Sequence, residues 1–200
     1  MKRLFLIIVI ALSIQVCEAQ TDTVKKERTV YNEKFKWEMT IPANFENIDD
    51  AQYNQVQEKG KNALEKGTDK QIDVSSTRIL AFKNTMSNLF DSTYQHYDPA
   101  ISGDYLTNCK NVYEILYNTF KQQMPSGTKI DTAASTEMIS NLLFQRFQGI
   151  MTLPNGAKLT FMVYNRLFDK DQFTASMLFI DQKNGDLLLN AWRNSKFKQN

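Results

Sequence analysis

The chain has 200 residues, with 24 lysines and arginines against 22 aspartates and glutamates, one histidine, two cysteines and a formal net charge of +2. That balance excludes the electrostatic footprint of a nucleic-acid binder, which needs a clearly basic domain, and a lone histidine excludes a multi-histidine zinc site. Glycine and proline are few and no repeat or low-complexity linker interrupts the chain, so its length reads as one domain with a sizeable core.

Lys2 and Arg3 precede an apolar run over residues 4–12, followed by SIQVCEAQ. The run is too short to cross a bilayer core, which takes roughly 20 apolar residues, and the layout is that of a secretory signal peptide. Cys17 and Ala19 occupy small-x-small positions, which puts cleavage after Ala19. Lipid attachment at Cys17 is the weaker alternative, because Val16 stands where a lipobox wants a small residue. The expected organisation is a signal peptide over 1–19, a flexible basic segment over 20–30 and a single domain over 31–200. The mature protein is then periplasmic or secreted, with no transmembrane span. Cleavage lowers the basic residues from 24 to 22 and the acidic residues from 22 to 21, and leaves Cys109 with no partner for a disulfide.

FKWEMTI alternates, with Phe35, Trp37, Met39 and Ile41 on one face, the period of a half-buried strand, and Pro42 ends it. Tyr53, Val56, Gly60, Ala63 and Leu64 recur at helical spacing over 50–66, with Asp49 or Asp50 as cap and Gly67 as the stop. RILAF, residues 78–82, reads as a short buried strand. Residues 84–104 read as irregular, with room for a short strand over 94–97. NCKNVYEILYNTFKQQM places Val112, Leu116, Phe120 and Met124 on one stripe, a helix over 108–124. Four strands follow at about 129–138, 142–153, 157–168 and 173–180. Asn155-Gly156 suits a two-residue hairpin turn, which pairs Ile150 with Phe161, Phe147 with Tyr164 and Gln145 with Arg166. After KNGD, Asp186 is the expected cap of a last helix with Leu188, Ala191 and Trp192 inward. The fold class is α+β: a largely antiparallel sheet covered by helices.

WEMTIPANFENI, the helix over 108–124, the hairpin RFQGIMTLPNGAKLTFMVYNRLF and the closing FIDQKNGDLLLNAWRNSKF together resemble the Mog1/PsbP-like family over about residues 31–197. The resemblance implies an α/β/α sandwich. No catalytic motif defines that family, so it also implies a non-enzymatic role in binding, assembly or stabilisation of a larger partner, with no cofactor.

The residues themselves offer little catalytic chemistry. His96, near Asp91 and Asp98, lacks a nucleophile elbow; a secreted hydrolase using it is the alternative function, and a small-ligand carrier with a nuclear-transport-factor-like cone is another. Cys109 reads as a small buried hydrophobe. Ser126 to Lys129 matches Ser-x-x-Lys by letters, but in a turn rather than at a helix start. DQKNGD misses the calcium-loop pattern at Lys183 and Ile180. In the assumed hairpin register Gln145, Tyr164 and Arg166 cluster, and Arg and Tyr are favoured at binding hot spots. These three are the candidate binding residues, and an envelope protein or small ligand is the expected partner.

Overall fold

The computed structural model describes residues 26–68 and 76–198. The signal-peptide reading, the Cys17 alternative and the start of the basic segment lie outside the described residues. Seven antiparallel strands form the main sheet, in the order β3-β4-β5-β9-β8-β7-β6. They are β3 (Glu46–Asn47), β4 (Thr77–Thr85), β5 (Asn88–His96), β6 (Lys129–Ile139), β7 (Leu142–Thr152), β8 (Lys158–Phe168) and β9 (Asp171–Phe179). A second sheet of three short strands joins β1 (Arg28–Asn32), β2 (Trp37–Ile41) and β10 (Lys196–Phe197).

Helices α1 (Asp50–Thr68) and α3 (Tyr105–Gln123) cover one face of the main sheet. Tyr53, Val56 and Leu64 of α1 and Val112, Leu116 and Phe120 of α3 pack there with Leu159, Phe161 and Val163 of β8. The small sheet and α4 (Gln182–Arg193) cover the opposite face, where Trp37, Phe90, Phe144, Phe173, Trp192 and Phe197 form an aromatic core. Helix α2 (Pro99–Ser102) is a single turn leading into α3. The antiparallel sheet between helices is the expected α/β/α arrangement. Among the described residues no helix is long and apolar enough to cross a membrane.

Five local expectations are corrected. Residues 88–96, read as mostly irregular, form β5, a central strand whose Asp91, Ser92 and Thr93 are buried. A strand covered on both faces shows no alternation, and these polar residues break even the run of apolar ones. Arg28 to Val30, read as flexible tail, lie in β1, which pairs with β2 from Arg28 opposite Ile41 to Asn32 opposite Trp37. The cap of α4 is Asp181, not Asp186: its carboxylate accepts from the Lys183 amide at 3.0 Å and from Asn184 Nδ2 at 2.6 Å. Helix α1 continues past Gly67 to Thr68.

Asp181 as the cap places Gly185 inside α4, buried against the sheet. A Cβ at Gly185 would collide with the Phe179 ring, which is 5% exposed and confined. Gly185→Ala is therefore expected to lower stability by about 1–3 kcal/mol through overpacking, against the ~1 kcal/mol that alanine normally adds to a helix interior. A denaturant midpoint above that of the wild type would contradict this account.

The fifth correction is the β7–β8 register. Leu153 and Ala157 close a three-residue loop, with the Leu153 amide donating to the Ala157 carbonyl at 2.8 Å. Proline's locked φ suits the first central position of a type I turn. The Gly156 amide closes that turn on the Leu153 carbonyl at 2.8 Å, and Gly156 takes the left-handed φ of +83°. Phe147 therefore faces Val163, and Gln145 faces Asn165. A one-residue slip moves a strand's side chains to the other face. By contrast Ser140 and Asn141, both at positive φ, make the two-residue turn between Ile139 and Leu142.

Candidate functional site

The hairpin ends β1–β2, β6–β7 and β8–β9 meet β10 around a cleft of about 570 Å³. The β1–β2 turn is held locally. Asn32 Oδ1 accepts from the Phe35 amide at 3.1 Å, and Lys36 sits at a left-handed φ of +46°. The Lys198 amide donates to the Lys36 carbonyl at 2.9 Å, which ties the strand after α4 to this turn. Phe35 then packs edge-on against Phe168, with ring centroids 5.3 Å apart, and Phe168 stacks on Phe197 at 5.5 Å. These three rings make an apolar wall.

Lys34, Lys36, Arg166 and Lys198 line the cleft with Asp169 and Asp171. Lys34 Nζ lies 2.6 Å from Asp171 Oδ2 and 4.8 Å from the Tyr94 ring centroid. The Asp171 carboxylate holds the Lys34 ammonium above its ordinary pKa by hydrogen bonding, against the opposing effect of desolvation. Arg166 donates from Nη1 to the Leu143 carbonyl at 2.7 Å, and its guanidinium lies 5.2 Å from the Phe168 ring centroid. Its Nε is buried with no hydrogen-bond partner among the described residues.

Of the three sequence candidates, Arg166 lines this cleft. Tyr164 shares its face of β8 but is fully buried, and its hydroxyl donates to Glu137 Oε2 at 2.9 Å. Arg193 of α4 donates to the other Glu137 oxygen at 2.6 Å, and Arg146 lies 3.6 Å away. Burial alone would raise the Glu137 carboxyl; these hydrogen bonds and cations outweigh it and leave it below its ordinary pKa. That arrangement pins α4 to the β6 edge. Gln145 lies on the α3 face instead, because of the register.

There Gln145 belongs to a polar row that sequence reading missed. Paired residues Arg78, Thr93, Thr174, Asn165, Gln145 and Thr136 cross the sheet from β4 to β6. Thr174 Oγ1 donates to Asn165 Oδ1 at 2.8 Å. Each member looks like an isolated polar residue along the chain, and only strand pairing puts them side by side.

His96 is exposed at the end of β5, opposite Asp171. Cys109 is buried under α3, as its place on the apolar stripe implies, and burial pushes its thiol up to about 11. It is thus not a thiolate at neutral pH. Ser126 lies in the turn before β6, where the Thr128 amide donates to the Pro125 carbonyl at 3.1 Å. Asp181 is occupied in capping α4. Among the described residues no group of three or more His, Cys, Asp or Glu side chains is arranged to hold a metal ion.

No protein-family model matches the chain, and no curated protein matches it in sequence. In structure it is similar to cyanobacterial PsbP (CyanoP) from Synechocystis sp. PCC 6803, whose solution structure superposes with a TM-score of 0.54 at 9% identity. That match covers 92% of this chain and 99% of the other. At such low identity the likeness speaks for architecture, and it shows that the chain has a PsbP-like α+β fold.

Proposed function

We propose that the protein is an exported, non-catalytic binding or assembly module of the cell envelope, and that the Arg166 cleft is its binding element. The observation that carries this reading is the cleft itself. Three hairpin ends and the strand after α4 converge on it, and it combines an apolar wall with an excess of cations. Its volume falls in the range of small-ligand sites, which are concave, mostly apolar and carry a few placed polar groups. The PsbP-like fold supports an accessory role by analogy, and fold alone does not assign function.

The test uses an environment-sensitive dye on Lys198→Cys at the cleft, with the same dye on Glu58→Cys in α1 as control. Titration with an extract of the native envelope, before and after removal of protein, is expected to change the cleft signal saturably and leave the control flat. An unchanged cleft signal, or equal changes at both positions, would remove the cleft as the binding element.

A further inference from the structure

We propose that this cleft takes an anionic group, a carboxylate or phosphate, carried on a flat apolar body; the inference rests on the reading of the cleft as the binding element. The charge count comes first. Lys34, Lys36, Arg166 and Lys198 face the cleft against Asp169 and Asp171, and Asp171 is already engaged by Lys34 at 2.6 Å. With Lys34 spent on Asp171, and even without Lys36, Arg166 and Lys198 face Asp169, and the balance for a ligand is positive.

The second argument is the state of Arg166. A guanidinium grips a carboxylate or phosphate with two parallel N–H bonds from one edge. Nη1 of Arg166 is used by the Leu143 carbonyl, which fixes the plane of the group, and the Phe168 ring lies 5.2 Å away. Nε has no hydrogen-bond partner among the described residues and is shielded from water in this conformation. A buried donor left unpaired costs its full desolvation. An oxyanion drawn to the guanidinium, with the small shift that uncovers Nε, would restore the missing bond and neutralise the charge.

The third argument is the wall beside it. Phe35, Phe168 and Phe197 form a continuous set of ring contacts at 5.3 and 5.5 Å. Aromatic rings gain from stacked and edge-on partners beyond simple burial. An anion with no apolar body would leave the half-buried Phe168 ring, backed by the buried Phe35 and Phe197, uncovered, and an apolar ligand with no charge would leave Arg166 unpaired. Such an anion can come from a free small molecule or from a lipid headgroup.

The experiment measures binding of phenyl phosphate, inorganic phosphate and benzyl alcohol to the mature protein, and of phosphatidylglycerol and phosphatidylcholine vesicles in a separate arm. Phenyl phosphate is expected to bind more tightly than either of its halves, and more weakly as salt rises. Arg166→Ala is expected to weaken it about ten- to hundredfold, the loss of hydrogen bonds to a charged group. Arg166→Lys should fall between, since it keeps the charge and loses the fork. Near-ultraviolet circular dichroism confirms that each variant is folded. Saturable phenyl phosphate binding assigns a free ligand, and Arg166-dependent retention on phosphatidylglycerol vesicles alone assigns a headgroup. The proposal is overturned if neither probe exceeds its uncharged control, or if Arg166→Ala changes nothing. A saturable cleft-dye response to envelope extract with no phenyl phosphate or vesicle binding would sink the anion assignment while leaving the binding module intact.

Discussion

Trp192→Ala is expected to remove about 3–5 kcal/mol of stability, the usual cost of emptying a large aromatic site in a core. Trp192 is fully buried in α4. Its ring contacts Trp37 and Phe197 of the small sheet at 6.2 Å each, Phe144 at 5.3 Å, Tyr164 at 5.4 Å and Phe173 at 6.1 Å. With Phe90 of β5 also at 6.2 Å, one side chain joins α4, the small sheet and four strands of the main sheet. Because the cleft's apolar wall includes Phe197, the truncation should also loosen the cleft. Denaturant unfolding measures the cost: the midpoint should fall with the slope unchanged. A loss under about 1 kcal/mol would mean that the aromatic core closes around the gap far better than such cores do.

Asp91→Asn is expected to stabilise the protein near pH 8 and to change little near pH 4. Asp91 is buried in β5, flanked by Ala81 of β4 and Ser176 of β9. Burial pushes its carboxyl up to about 7, against the lowering pull of the Tyr53 hydroxyl, the Arg78 guanidinium and the Ser92 amide. The ordinary value is 3.8. The folded protein therefore binds this proton more tightly than the unfolded chain. The favourable contribution is complete below about pH 3.8, fades between there and pH 7, and is gone above it. At pH 8 the native state carries a buried charge, at a cost on the order of 4 kcal/mol for a shift of this size. Asparagine keeps the shape without the charge. Carboxylates held low, such as Glu137, act in the opposite direction, so the measurement is the difference between wild type and variant across pH. A difference that stays constant from pH 4 to 8 would show that Asp91 does not titrate in the fold.

The carboxyl also explains a local contact. Arg78 lies with its guanidinium 4.5 Å from the Tyr53 ring centroid and bonds Asp50 at the start of α1. The charged and phenolic groups around Asp91 thus come from β4 and α1, and they fasten the helix over a buried carboxyl on that face. In the variant this fastening remains, which is why the gain at high pH should appear without loss of the helix.

Much of the architecture was legible because its causes are local. Period-two alternation over Trp37, Met39 and Ile41 marks β2, and the stripe Val112, Leu116 and Phe120 marks α3. Strands β6 to β9 fall within a residue or two of their expected bounds. Even the resemblance in element order pointed to the PsbP-like fold that the structure has. β5 was missed because burial on both faces erases periodicity, and polar Asp91, Ser92 and Thr93 sit inside.

The sequence by itself determined α1, α3, α4, β2 and the four strands β6 to β9, the antiparallel plan and the burial of Cys109, since backbone preference and hydrophobic period act over a few neighbouring residues. Only the tertiary structure decided which residues meet. Pro154 and Gly156 set a three-residue loop, and that single residue moved Gln145 away from Tyr164 and Arg166 to the other face. The cleft draws Phe35, Arg166 and Phe197 from opposite ends of the chain. Contacts so distant in sequence leave no local trace, because they depend on how strands register and how sheets stack.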